Sequence, residues 1–185
     1  DGNPVLGGET VLRRAARTAR DAGIDPVVVV TGHELDRAEQ QVDGLGCETV
    51  SNPDHLTGIH TSVRAGIDHL PDDVDAVIIM LADMPFVDAS MLRGLVQRYR
   101  DGEAPLVISR YGDEVQAPPM LYDRSLFGEL RVMQRRCGRE VIRRHKSEAL
   151  VAHWPAEALD DLDTPEDFER VQARFDEGVA TVAKG

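Results

Sequence analysis

Lysine is nearly absent from this 185-residue chain: only Lys146 and Lys184 occur. Acidic residues outnumber basic ones 33 to 21, and the net charge is -12. Without a basic footprint the chain lacks the electrostatic signature of a nucleic-acid binder, and the same imbalance disfavours an anionic membrane surface. A small anionic substrate stays within reach, because it needs only a local cation or a metal. An acidic, lysine-poor, arginine-rich composition fits a salt-adapted source and a GC-rich genome equally well. Cysteine is scarce too: Cys47 and Cys137 are too few for a disulfide framework and lack metal-ligand spacing. No apolar run approaches the roughly 18 residues of a membrane-spanning helix, and no charged segment followed by an apolar stretch opens the sequence. These absences predict a reduced, cytoplasmic, soluble protein with no nucleic-acid or membrane partner.

What is present is ordinary for a globular chain: 42% hydrophobic and 29% charged residues. The length suits a single domain, expected over 1–177 with a flexible tail at 178–185. Pro26 to Thr31, Ala76 to Leu81 and Leu106 to Ser109 are uninterrupted apolar or β-branched runs. Runs of this kind, rather than alternation, predict strands covered on both faces. Glu48 to Val50 is a weaker candidate. Helical periodicity covers Val11 to Ala22 after the N-cap candidate Thr10, then Ala38 to Leu45, Thr61 to Leu70, Ala89 to Arg100, Arg139 to His145 and Pro165 to Phe175. Helices alternating with buried strands imply a three-layer α/β/α, Rossmann-like fold with a mostly parallel sheet.

Three motifs could carry chemistry. Leu81-Ala82-Asp83-Met84-Pro85 directly follows an apolar strand, where open α/β sheets bind ligands. Asp83 there suits Mg²⁺, which takes one or two carboxylates plus substrate phosphates; it equally suits a cap for the following turn. Asp161-Leu162-Asp163-Thr164-Pro165-Glu166-Asp167 reads from Thr164 onward as a capped helix start, with Pro165 first and Asp167 third. Capping leaves Asp161 and Asp163 unexplained. Alternating acids on an extended segment point to opposite faces, so one can meet a metal and the other its support. The polar loop Ser51 to Gly58 leads into a helix start near Thr61 or Ser62, whose free N–H groups can hold phosphate, ribose or base acceptors. A plain helix cap explains that loop as well. The six histidines lack ligand spacing and read as surface or loop residues, and Cys137 reads as structural despite its arginine neighbours.

Taken in order, Asn52-Pro53, Gly58-Ile59, Thr61-Ser62-Val63-Arg64-Ala65-Gly66, Leu81-Ala82-Asp83-Met84-Pro85, Ala117-Pro118-Pro119-Met120 and Asp161-Leu162-Asp163-Thr164-Pro165 resemble the MobA-like nucleotidyltransferases. Within these the chain is most similar to the molybdenum cofactor cytidylyltransferase group. The resemblance implies transfer of CMP from CTP to a phosphorylated acceptor such as molybdopterin, with release of pyrophosphate and with a molybdoenzyme as a further partner. It implies Mg²⁺ as cofactor, held by Asp83 and Asp163, with Asp161 orienting that shell. Gly58 and Ser62 would contact base or ribose, Asp83 the nucleotide through the metal, and Arg139 the acceptor phosphate. Two alternatives stand beside this: a sugar- or alcohol-phosphate nucleotidyltransferase on the same scaffold, and a non-catalytic cofactor-binding accessory protein for molybdoenzyme maturation.

The sequence departs from the family pattern on the acceptor side. Ala117 stands where the family has glycine, and Gln134-Arg135-Arg136-Cys137 replaces a Gly-Asp-x-Gly run, while Gly138 and Arg139 are kept. The family's first strand and glycine-rich loop are not in this sequence. Deleting an inner strand would expose two rows of unpaired backbone groups, so the natural protein is expected to carry residues ahead of Asp1.

Overall fold

The computed structural model describes residues 5–32, 34–134, 138–159 and 165–182. A short antiparallel hairpin comes first, β1 (Val5–Leu6) and β2 (Glu9–Thr10). Thr10 then caps α1 (Val11–Asp21), its Oγ1 accepting from the Arg13 N–H at 3.3 Å. There follow β3 (Val28–Thr31), α2 (Leu35–Val42), β4 (Glu48–Ser51), α3 (Ile59–His69), β5 (Ala76–Ile79), α4 (Ala89–Asp101) and β6 (Leu106–Tyr111). The second half adds β7 (Val115–Gln116), β8 (Met120–Asp123), α5 (Phe127–Val132), α6 (Arg139–His145), β9 (Leu150–Trp154) and α7 (Pro165–Val182).

The fold is α/β. β3 and β4 form one parallel pair. A second, mixed sheet runs β5-β8-β6, with β9 on the far edge of β6 and β7 folding back on its end. β5 and β6 are both antiparallel to β8, and β6 is parallel to β9. Three strands of that sheet therefore share one direction, and β8 alone separates β5 from β6.

Alternation along β6 sorts the core into two layers. Leu106 and Ile108 face Val63 and Ile67 of α3, Phe127 and Leu130 of α5, and Val141 of α6. Val107 faces Leu95 of α4 on the other side, and Tyr111 packs with Met91, Leu92 and Ala19 of α1. Leu106, Val107 and Ile108 are at most 1% exposed, and full burial contributes about 1.5–3 kcal/mol for each such side chain. The uninterrupted apolar run is thus explained by helices on both faces.

β3 and β5 behave differently. Ala76 to Ile79 are all half-buried, as are Val28 and Val30. An apolar cleft of about 380 Å³ lies between these strands, walled by Val27 to Val30 and Ala76 to Leu81 and bounded by α1 and α3.

Several boundaries differ from expectation. α2 starts at Leu35 and ends at Val42, before Gly44 and Gly46, which take φ of +77° and +66°, angles a helix cannot continue through. α3 begins at Ile59 rather than near Thr61. α7 runs to Val182, past the expected Phe175 and into the segment expected as a tail. Among the histidines, His60 is 8% exposed and belongs to the interior.

Candidate active site

β5 delivers Asp83. The strand ends at Ile79, and Asp83 sits in the turn that follows, half-buried with its Oδ1 shielded from solvent. Met84, Pro85 and Val87 are buried around it, so the turn is anchored by apolar contacts. Asp88 closes the loop as the N-cap of α4, accepting from the Met91 N–H at 2.9 Å and the Ser90 hydroxyl at 2.6 Å. Capping of α4 therefore falls to Asp88, five residues beyond Asp83.

The loop after β4 is tied by Asn52, which is 3% exposed. Its Nδ2 donates to Thr61 Oγ1 at 2.8 Å and to Ser62 Oγ at 2.9 Å, and its Oδ1 accepts from the Asp54 N–H at 3.1 Å. Thr61 Oγ1 lies 2.8 Å from the Gly58 carbonyl and 3.1 Å from that of Asp54. Thr61 thus braces the loop from inside the first turn and is not the cap. The N-cap is Gly58 at φ +139° and ψ +162°, a conformation nearly reserved for glycine. A Cβ there would also meet His60 Nδ1 at 2.9 Å. Asn52 fixes the Ser62 hydroxyl and the chain on both sides of Gly58, a role that the Asn-Pro pair alone did not reveal.

Arg139 starts α6, directly after Gly138 at φ +68°. A Cβ on Gly138 would lie 2.7 Å from the Tyr122 hydroxyl, so this glycine lets α6 close down on β8. Arg139 and Arg143 of α6 and the following Lys146 line a cavity of about 550 Å³. Its other walls include Ile59, Ile79, Leu81, Pro118 and Met120. The Pro118 wall is held from behind, where the Tyr111 hydroxyl donates to the Pro118 carbonyl at 2.8 Å. Burial pushes the Tyr111 phenol well above its usual range, which keeps it a donor.

One cavity therefore collects the end of β5 just before Asp83, the neighbour of Gly58, the Ala117-Pro118 segment and Arg139. Ser62 instead lines the cleft beside β3 and β5, together with Ala82. Asp161, Asp163 and Thr164 lie outside the described residues, and so does the expected proximity of Asp83 and Asp163. Among the described residues, no group of three or more His, Cys, Asp or Glu side chains could hold a metal ion. Arg143 and Lys146 were not singled out in the sequence, although their spacing from Arg139 places them on one helical face.

Residues 4–149 match the MobA-like NTP transferase domain. That match makes the chain a nucleotidyltransferase domain, and it belongs to the MobA-like NTP transferase family. It is similar to the bifunctional protein GlmU of Rhodococcus opacus, 29% identical over 111 residues, which is 57% of this chain and 22% of that protein. The chain spans about a fifth of the length of the curated relatives it matches. Its fold is that of Rv0371c from Mycobacterium tuberculosis H37Rv, crystallised in complex with manganese, at a TM-score of 0.76 and 21% identity over 91% of this chain and 89% of that one. It is also that of a CMP:2-keto-3-deoxy-manno-octonic acid synthetase complexed with CTP, at a TM-score of 0.76 and 14% identity over 96% and 92% of the two chains. Among the described residues, no helix is long and apolar enough to cross a membrane.

Proposed function

We propose that the chain transfers CMP from CTP to a phosphorylated acceptor such as molybdopterin and releases pyrophosphate. The observation that carries this reading is the convergence of the β5 end, Ile59 next to Gly58, Ala117-Pro118 and Arg139 on one cavity. The CTP bound to the synthetase of like fold supports the choice of nucleotide. The manganese bound to Rv0371c supports a divalent cation.

An acceptor phosphate oxygen attacks the α-phosphorus of the nucleotide. The α–β bridging P–O bond breaks, and its electron pair leaves with pyrophosphate. Such chemistry is mostly positioning and neutralisation of charge. Asp83 fits a hard cation: it is a carboxylate on a rigid turn with one oxygen sheltered from water, and Mg²⁺ needs only one or two such ligands beside phosphate oxygens. Asp83 and Asp163 would hold Mg²⁺, with Asp161 orienting Asp163. When bound, the ion supplies charge stabilisation to the polyphosphate and the leaving group. The Gly58 loop and the Ser62 hydroxyl would orient base or ribose, and Arg139 would hold the acceptor phosphate.

The test is pyrophosphate release with CTP, Mg²⁺ and acceptor, comparing the wild type with Asp83→Asn. Asn keeps the shape and removes the charge. Turnover should fall about a thousandfold, roughly 4 kcal/mol at about 1.4 kcal/mol per decade, while the melting temperature holds or rises. Wild-type turnover by the variant would remove Asp83 from the site and the mechanism with it.

A further inference from the structure

Arg64 lies two residues beyond Ser62 on α3 and reaches across to the end of α5. Its Nε donates to the Arg131 carbonyl at 2.6 Å and its Nη2 to the Met133 carbonyl at 3.4 Å. α5 stops at Val132, and Met133 follows it at φ -55° and ψ +136°. The last carbonyls of a helix have no intrahelical partner, so Arg64 supplies donors that α5 cannot. Among the described residues Arg64 pairs with no carboxylate. Its permanent charge goes to neutral carbonyls, and a charged donor makes the stronger kind of hydrogen bond.

The packing of α3 on α5 does not rest on this arm alone. Arg131 reaches the other way, its Nε to Asp68 Oδ1 at 2.7 Å and its Nη2 to the Ile67 carbonyl at 3.5 Å. Val63 and Ile67 also meet Phe127 and Leu130 in the core. What Arg64 adds is a hold on Met133. That residue is 4% exposed, and its sulfur accepts from the Gly138 N–H at 3.2 Å. Gly138 starts α6, its carbonyl accepting from the Ile142 N–H at 2.8 Å, and Arg139 is the next residue. Met133 is thus gripped through its carbonyl by the helix that begins at Gly58, and through its side chain by the turn that aims Arg139. Arg64 itself lines neither the cleft beside β3 and β5 nor the cavity beside α6.

We propose that Arg64 is a positioning residue that couples the two substrate sites. A nucleotide engaged at the start of α3 steadies that helix. Arg64 passes the constraint to Met133, and Met133 passes it to Gly138 and Arg139. The acceptor phosphate then meets a cation that is already held in place, which lowers the ordering cost of binding. By linkage, nucleotide and acceptor tighten each other's binding by the same factor. The inference rests on the assignment of Gly58 and Ser62 to the nucleotide and of Arg139 to the acceptor phosphate.

Calorimetric binding to the full chain tests it with two probes: phenyl phosphate, and the α,β-methylene analogue of CTP with Mg²⁺, which cannot release pyrophosphate. In the wild type the analogue should tighten phenyl phosphate about fivefold or more, and phenyl phosphate should tighten the analogue equally. Arg64→Gln should reduce that factor to less than about twofold, while the analogue alone binds as it does to the wild type. Arg64→Lys keeps the charge but can reach only one carbonyl, and should retain an intermediate factor. Arg131→Gln breaks the opposing arm between the same helices. It should lower the melting temperature and leave the factor unchanged. A full factor in Arg64→Gln and Arg64→Lys would overturn the inference, as would a loss in Arg131→Gln as large as that in Arg64→Gln. Arg139→Gln keeps the two readings apart, and should weaken phenyl phosphate about tenfold or more. Unchanged phenyl phosphate binding by that variant, or no binding of the analogue to the wild type, sinks the site assignment and the coupling with it. Both probes binding as assigned but without mutual effect sinks the coupling alone.

Discussion

Phe86 and Phe175 stack face to face, with ring centroids 5.2 Å apart and 17° between their planes. Phe86 lies three residues beyond Asp83, and Phe175 belongs to α7. The Arg174 guanidinium covers the outer face of Phe86 at 3.9 Å, and that of Arg14 from α1 lies 4.5 Å from the Phe175 ring centre. The pile clamps α7 to the Asp83 loop. Phe175→Leu keeps an apolar group and removes the stack and a cation–π contact. It should cost about 1–2 kcal/mol, a drop of several degrees in melting temperature. The chain entering α7 carries Asp161 and Asp163, so the Mg²⁺ concentration for half-maximal turnover should rise several-fold, with the CTP KM moving less. A lower melting temperature with unchanged Mg²⁺ dependence would confine the clamp to stability.

Asn52→Ala removes both donors to Thr61 and Ser62 and the acceptor for the Asp54 N–H. The expected loss is about 1–3 kcal/mol, because buried polar partners are left behind. The CTP KM should rise while kcat at saturating CTP changes little. Thermal melting and a nucleotide titration on the same sample check both parts.

Gly58→Ala tests the geometry of the α3 start. A Cβ at φ +139° is strained whatever the space, and here it also meets the His60 ring. The strain should cost about 1–3 kcal/mol. Relief requires the loop to shift, so CTP affinity should fall more than in Asn52→Ala. Equal CTP affinity in Gly58→Ala and the wild type would separate this loop from the nucleotide.

Acid should loosen the N-terminal hairpin. Hydrogen bonding from Arg17, which grips Glu9 at 2.9 and 3.0 Å, holds the Glu9 carboxyl below its ordinary value of 4.5. A folded-state value below the unfolded one means the stabilisation is complete above about pH 4.5. It is lost as pH falls through the lower, folded value. Melting temperature should therefore be flat near neutrality and decline below that point. Glu9→Gln should lower the plateau and shallow the decline, as a pH series of melting curves will show.

The long apolar strands were readable because burial on two faces leaves no polar alternation, and β6 with its helices on either side is the outcome. β8 and β9 did not stand out from their residues. Met120 to Asp123 is short, and His153 interrupts Leu150 to Trp154; their strand character comes from pairing with β5 and β6. At the site, Asp83 and Gly58 were legible because one follows a strong strand and the other precedes a helix. The work of Asn52 was not, because its partners Thr61 and Ser62 lie nine and ten residues away and meet it only after the loop has closed. Arg143 and Lys146 shared a visible helical period with Arg139. Which side of α6 would stay unpaired depended on Glu129 of α5 capturing Arg144 and His145.

Gly138 makes the mouth of the α6 cavity depend on an atom that is missing. With φ at +68° and the Tyr122 hydroxyl 2.7 Å from where a Cβ would stand, any other residue would have to prise the start of α6 away from β8. Arg139 rides on that start, so its reach into the cavity is set by how little room its neighbour occupies.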